Sequence, residues 1–115
     1  MSQERIAALK GMAETQPDEP MIWYGLANEY IKFENWDEAA DASGRVIKLN
    51  ADYTSAYQLL GTALVNLGRV EEARRAWAEG LEAATRTGAW KARQHIEGLL
   101  AGSKTQERGT GLGTE

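Results

Sequence analysis

The sequence predicts an all-α fold of about six helices, arranged as antiparallel helix-pair repeats stacked in a row. Three observations lead there. Apolar residues recur at three- and four-residue spacing, no segment alternates with period two, and one stretch is written twice. When Pro20–Tyr53 is set above Thr54–Thr87, an offset of 34 residues, Trp23 falls on Tyr57, Leu26 on Leu60, Ala27 on Gly61 and Tyr30 on Leu64. Trp36 then falls on Val70, Asp37-Glu38-Ala39 on Glu71-Glu72-Ala73, Ser43 on Trp77 and Val46 on Gly80. Large positions answer large ones and small answer small, with size swaps at Ser43/Trp77 and Val46/Gly80.

Each element follows from its own spacing. Ser2–Gln16 reads as a helix capped by Ser2, with Ile6, Leu9, Met12 and Ala13 on one face. Pro17 disfavours helical geometry at Gln16 and ends it. Asp18 is placed to cap the next helix, Pro20–Phe33, because Pro is tolerated in a first turn. Its inward stripe is Ile22, Trp23, Leu26, Ala27 and Tyr30. Glu34-Asn35 breaks the chain, and Asn35 with Glu38 has the spacing of a capping box. Trp36–Leu49 buries Trp36, Ala39, Ala40, Val46, Ile47 and Leu49. Asp52 is the expected cap of Tyr53–Leu67, which repeats the second helix through Ala56, Tyr57, Leu60, Gly61 and Leu64. Gly68 supplies the left-handed residue that ends it. Val70–Thr85 follows with Val70, Ala73, Ala76, Trp77 and Leu81, broken by Thr87-Gly88. Ala89–Ala101, carrying Trp90, Ile96, Leu99 and Leu100, is a last helix without a match to the repeat. Gly102 onward is Gly, Ser, Thr and charge with a single Leu112, read as a disordered tail over 102–115.

Composition narrows the function classes. The length of 115 residues suits one domain with a modest core. A net charge of −4 argues against a nucleic-acid surface, which needs a basic patch. Residues 1–68 hold five basic and ten acidic side chains, residues 69–101 six basic and five acidic. With no cysteine, disulfides and thiol chemistry are excluded. Neither a signal peptide nor a membrane span is visible, so a cytoplasmic protein is expected, with no membrane partner.

Trp23-x-x-Leu26-Ala27-x-x-Tyr30 then Ala39, and Tyr57-x-x-Leu60-Gly61-x-x-Leu64 then Ala73 and Trp77, resemble the tetratricopeptide repeat. The resemblance covers two full units, 20–53 and 54–87. Leu9, Met12 and Pro17 extend it by half a unit over 2–19, and the helix 89–101 would close the stack as a cap. Ser43 replaces the usual aromatic, and Ala51 and Thr85 replace the closing Pro. The resemblance implies a short right-handed α-solenoid whose neighbouring pairs share a core that none could form alone.

It also implies where binding would occur. In that family the first helix of each pair lines a concave groove that takes an extended peptide or a partner helix. Carried over by register, the groove positions are Met21, Tyr24, Asn28, Ile31 and Lys32, then Ser55, Gln58, Thr62, Val65 and Asn66. Asn28, Gln58 and Asn66 could hydrogen-bond a peptide backbone, and Tyr24, Met21 and Ile31 could supply apolar contact. The charged clamp of the chaperone-tail-binding members is not expected. Asn28 matches, but Tyr24 stands in place of its Lys and Leu59 in place of its second Asn, and its basic residues would have to come from Lys91 or Arg93.

The remaining features read as structure. His95 has no second ligand at helical spacing, so no metal or cofactor is expected. Asp37-Glu38 and Glu71-Glu72 suit helix starts, and Glu71–Arg75 has ion-pair spacing. The four Trp are core candidates. No nucleophile–base pair or phosphate loop appears, so an enzyme is not expected. The reading is a non-catalytic protein-interaction module; the alternative is a self-associating unit using its terminal helices, with a homodimer as one outcome.

Overall fold

The computed structural model describes the backbone of residues 2–112 and the side chains of residues 3–103. Among them are six helices and no strand: α1 (Ser2–Thr15), α2 (Pro20–Lys32), α3 (Trp36–Leu49), α4 (Thr54–Asn66), α5 (Val70–Thr87) and α6 (Trp90–Leu112). The pairs α2/α3 and α4/α5 pack most closely, α3 lies on α4, α1 packs on α2, and α6 packs on α5. Along one side α2 touches α4 and α4 touches α6. The result is an elongated stack of 53 × 31 × 20 Å. α6 relates to α5 and α4 as α4 relates to α3 and α2. It therefore takes the place of a first helix in a third unit, which its sequence does not reveal.

The turns reuse one device. After α2, α4 and α5 the chain passes through a left-handed residue: Glu34 (φ 59°), Gly68 (φ 79°) and Gly88 (φ 75°). The following N–H returns to a carbonyl five residues earlier: Asn35 to Tyr30 at 2.9 Å, Arg69 to Leu64 at 2.8 Å and Ala89 to Ala84 at 2.9 Å. Orphan carbonyls of the last turn are satisfied this way. Glycine enters that conformation freely; Glu34 carries a β-carbon and is strained there.

The repeated aromatic has a repeated task. Trp23 Nε1 donates to the Pro17 carbonyl at 2.8 Å, and the Tyr57 hydroxyl donates to the Ala51 carbonyl at 2.7 Å. Both pairs are six residues apart and equivalent under the 34-residue offset. Each aromatic thus fastens the turn that precedes its own helix, with its body inside and its polar tip satisfied.

At both swapped positions of the second unit a glycine makes room for a large ring. In the second unit the Trp77 indole lies against Gly61, and a β-carbon at Gly61 would overlap it. Gly80 likewise makes room for Tyr57, whose β-carbon would sit 2.6 Å from an added one. The equivalent positions of the first unit hold Ala27 and Ser43, which is fully buried with its hydroxyl donating to the Ala39 carbonyl at 2.7 Å. Interiors tolerate such exchanges when total volume is kept.

Several local expectations are corrected. Met12 is 46 % exposed, because it lies well round the helix from Ile6 and Ala13, which are buried on α2. Leu49 is exposed at the end of α3, and Trp90 is 61 % exposed at the start of α6, so only the other three Trp pack inward. The cap of α2 is Glu19, whose carboxylate accepts from the Met21 N–H at 3.3 Å, rather than Asp18. Tyr53 precedes α4 while Asp52 turns to Arg86, accepting bonds of 2.9 and 2.6 Å. Asn35 is the N-cap of α3 without a side-chain cap bond. Glu71 pairs with Arg74, at 3.5 Å, not with Arg75. Finally, α6 continues past Ala101 to Leu112, where a disordered tail was expected from Gly102. Leu99 and Leu100 pack on the second core cluster and Ser103 is buried, its hydroxyl donating to the Leu100 carbonyl at 3.3 Å. Once that turn is anchored, helix extension adds one hydrogen bond per residue fixed. The cap at Ser2 and residues 113–115 lie outside what is described.

Candidate functional site

The side of the stack where α2, α4 and α6 adjoin carries the groove positions. Met21 is 70 % exposed. Tyr24, Asn28, Ile31, Ser55, Gln58, Thr62 and Val65 are half-buried, and Asn66 is exposed. Short Thr, Asn and Gln side chains on a helix interior leave the backbone ladder intact only if they point out or bond back one turn. Here Asn28 Nδ2 donates to the Tyr24 carbonyl at 3.2 Å and Asn66 Nδ2 to the Thr62 carbonyl at 2.8 Å. Each carboxamide keeps its oxygen and a second N–H for a ligand.

The positions separate into two groups. Thr62, Val65 and Asn66 come together on one wall of a cleft of about 330 Å³, floored by Trp77 and closed by Gly98, Leu99, Gly102 and Ser103 of α6. The size is that of a small ligand-binding cleft. Met21, Tyr24, Asn28, Ile31 and Gln58 lie outside it. Ile31 packs against the first core cluster, and Lys32 is committed to Glu29 at 3.2 Å. The Tyr24 ring lies 5.0 Å from that of Tyr53, tilted by 39°. Burial pushes the Tyr53 hydroxyl pKa above its ordinary value of 10.0, and Tyr24 and Glu19 push it the same way, so the hydroxyl stays protonated well past neutrality.

Sequence reasoning missed two features. The first is the α6 wall. Its visible signal is Gly98 and Gly102, four residues apart on one helix face, where an added β-carbon meets nothing within 4 Å. The second is Glu29, 2 % exposed in α2, held by Arg5 at 3.0 Å and Lys32 at 3.2 Å. Its counterpart in the second unit is the buried Ala63. The partner Arg5, on α1, is 24 residues away, so nothing local announces the pair. His95 is exposed, and among the described residues no three His, Cys, Asp or Glu side chains converge as a metal site.

Helix pairs in this order, sharing a core and lining a groove with their first helices, define a short helical-repeat solenoid. Comparison with known proteins agrees. No family model matches the chain. Over 95 residues it is 28 % identical to a TPR repeat-containing protein of Pseudomonas aeruginosa, covering 83 % of this chain and 90 % of that protein. A tetratricopeptide repeat domain protein from Salinibacter ruber superimposes with a TM-score of 0.71 at 26 % identity, covering 77 % of this chain and 90 % of that one. The first TPR domain of Spaghetti, bound to an HSP90 peptide, does so with a TM-score of 0.69 at 25 % identity, covering 87 % and 80 %. In fold and in repeat pattern the chain resembles tetratricopeptide-repeat proteins.

Proposed function

We propose that the chain is a non-catalytic interaction module whose groove takes one segment of a partner protein. The observation that carries this is the α4–α6 cleft. Its walls come from two successive first-helix positions, and it sets Val65, Leu99 and Trp77 beside the hydrogen-bonding groups of Thr62 and Asn66. Apolar surface with a few placed polar groups suits a neutral, partly apolar peptide. In this reading the partner segment runs on past Gln58 towards Asn28, Tyr24, Ile31 and Met21, as an extended strand or one face of a helix. The peptide seen on the Spaghetti domain supports the same class of partner. Affinity on the order of micromolar fits so small a surface. A cytoplasmic setting belongs to this reading. No helix among the described residues is long and apolar enough to cross a membrane.

A peptide-array or pull-down screen with wild type, Tyr24→Ala/Asn28→Ala and Val65→Asp/Asn66→Ala tests it. Loss of partners with the second variant, and weakening with the first, is the expected result. Equal retention by all three proteins removes the groove as the site.

A further inference from the structure

A larger cleft opens on a different face of α2. Because α1 packs on α2 alone, the space between α1 and α3 remains open, about 580 Å³. Its floor is apolar: Trp23, Leu26 and Tyr30. Its rim is acidic, with Glu14 on α1 and Asp37, Glu38 and Asp41 on α3, against Lys10 and Arg45. Arg45 is already engaged, 3.6 Å from Asp41 and 4.7 Å from the centre of the Trp23 ring. Glu14, Asp37 and Glu38 form no ion pair among the described residues. A role at the start of α3 explains Asp37 and Glu38 by the helix dipole. It explains neither Glu14 across the gap nor the open space above a floor in which Trp23 stays half-buried.

The opposite end of the stack carries the complement. Trp90, the first residue of α6, is 61 % exposed. The Lys91 ammonium lies 5.7 Å from the centre of its ring and has no ion pair among the described residues. The N-terminus of α6 adds positive potential at the same corner. The charge balance of the halves runs the same way, five basic against ten acidic in 1–68 and six against five in 69–101.

We propose that a second copy of this chain docks in the α1–α3 cleft, its Trp90 on the Trp23–Tyr30 floor and its Lys91 among the rim carboxylates. The contact joins unlike surfaces, so a joined pair still offers one free knob and one free cleft, and association runs head to tail into open chains instead of stopping at a symmetric dimer. One indole buries about 200 Å², which fits weak association, on the order of 0.1 mM.

Sedimentation velocity from about 10 µM to about 1 mM reads this directly. Wild type should rise in mass beyond a dimer with concentration and fall back when salt is raised, as a charge-steered contact does. Trp90→Ala keeps the cleft but loses the knob; Glu14→Lys/Asp37→Asn keeps the knob but loses the cleft. Each alone should remain a monomer, and their mixture should form a heterodimer that grows no further. Circular dichroism checks that both variants are folded. A wild type that is monomeric throughout overturns the proposal, as does Trp90→Ala associating like wild type or a mixture of the variants that stays monomeric.

Discussion

The indole of Trp77 rests on the bare backbone of Gly61, so closely that no side chain fits between them. Trp77 is 4 % exposed and belongs to the second core cluster, so it has little room to retreat. Gly61→Ala should destabilise the protein by about 1–3 kcal/mol through overpacking, despite the better helix propensity of Ala. Urea unfolding measures it. Trp77→Ser alone should cost about 3–5 kcal/mol through the cavity it leaves, but combined with Gly61→Ala it should cost less than the two changes summed, with a coupling of at least about 0.5 kcal/mol in the double-mutant cycle.

Glu34 and Gly68 occupy the same left-handed turn position in consecutive units. Glu34→Gly should stabilise by up to about 1 kcal/mol, the strain relieved being partly offset by the freer unfolded chain. Gly68→Ala should cost about 1 kcal/mol, since its added β-carbon meets no neighbour and only the backbone objects. Thermal melts of the two variants should shift in opposite directions.

Gly98 and Gly102 keep the α6 wall of the groove cleft flat. Replacing both with Ala should raise helix stability by about 1 kcal/mol each, because neither new methyl meets the fold. The same methyls narrow the cleft, so partner binding should weaken while the melting temperature rises. Isothermal titration beside a melt separates the two effects.

Glu72 accepts a two-point bond from Arg69, at 2.8 and 2.7 Å. That hydrogen bond holds its carboxyl below the ordinary value of 4.5, with the charges of Arg69 and Arg75 acting the same way. A depressed folded pKa means that the contribution to stability is present above the unfolded value and lost as pH falls through the folded one. Arg69→Gln should bring the Glu72 carboxyl, followed by NMR, back toward its ordinary titration. It should also lessen the loss of stability as pH falls below 4.5. The pair is exposed, so added salt should shrink the difference.

The architecture was legible because it rests on spacing. Trp23 and Tyr57, Leu26 and Leu60, and the small residues beside them identify two units before any coordinate is seen, and the breaks at Gly68 and Gly88 follow from glycine alone. What the pattern could not show depends on residues distant in sequence. Glu29 reads as a polar residue among apolar ones until Arg5 arrives from another helix. Trp90 counts as apolar in any periodicity, yet it stands largely exposed at that corner of α6. The groove shows the same division. Thr62, Val65 and Asn66 follow from register, whereas their opposing wall belongs to a helix outside the repeat pattern. Asp52 has the sequence position of a cap, but Arg86, one unit later, takes its carboxylate.

The bonds from Trp23 to Pro17 and from Tyr57 to Ala51 tie each helix pair to the turn before it, and Arg86 grips that second turn from the far end of α5. The boundaries of the 34-residue period are therefore braced rather than free. A pair cannot peel away from the end of the stack without also releasing a connection that belongs to its neighbour. Melting is accordingly expected as one cooperative event across both units, with amides of α3 and α4 exchanging with solvent only through global opening.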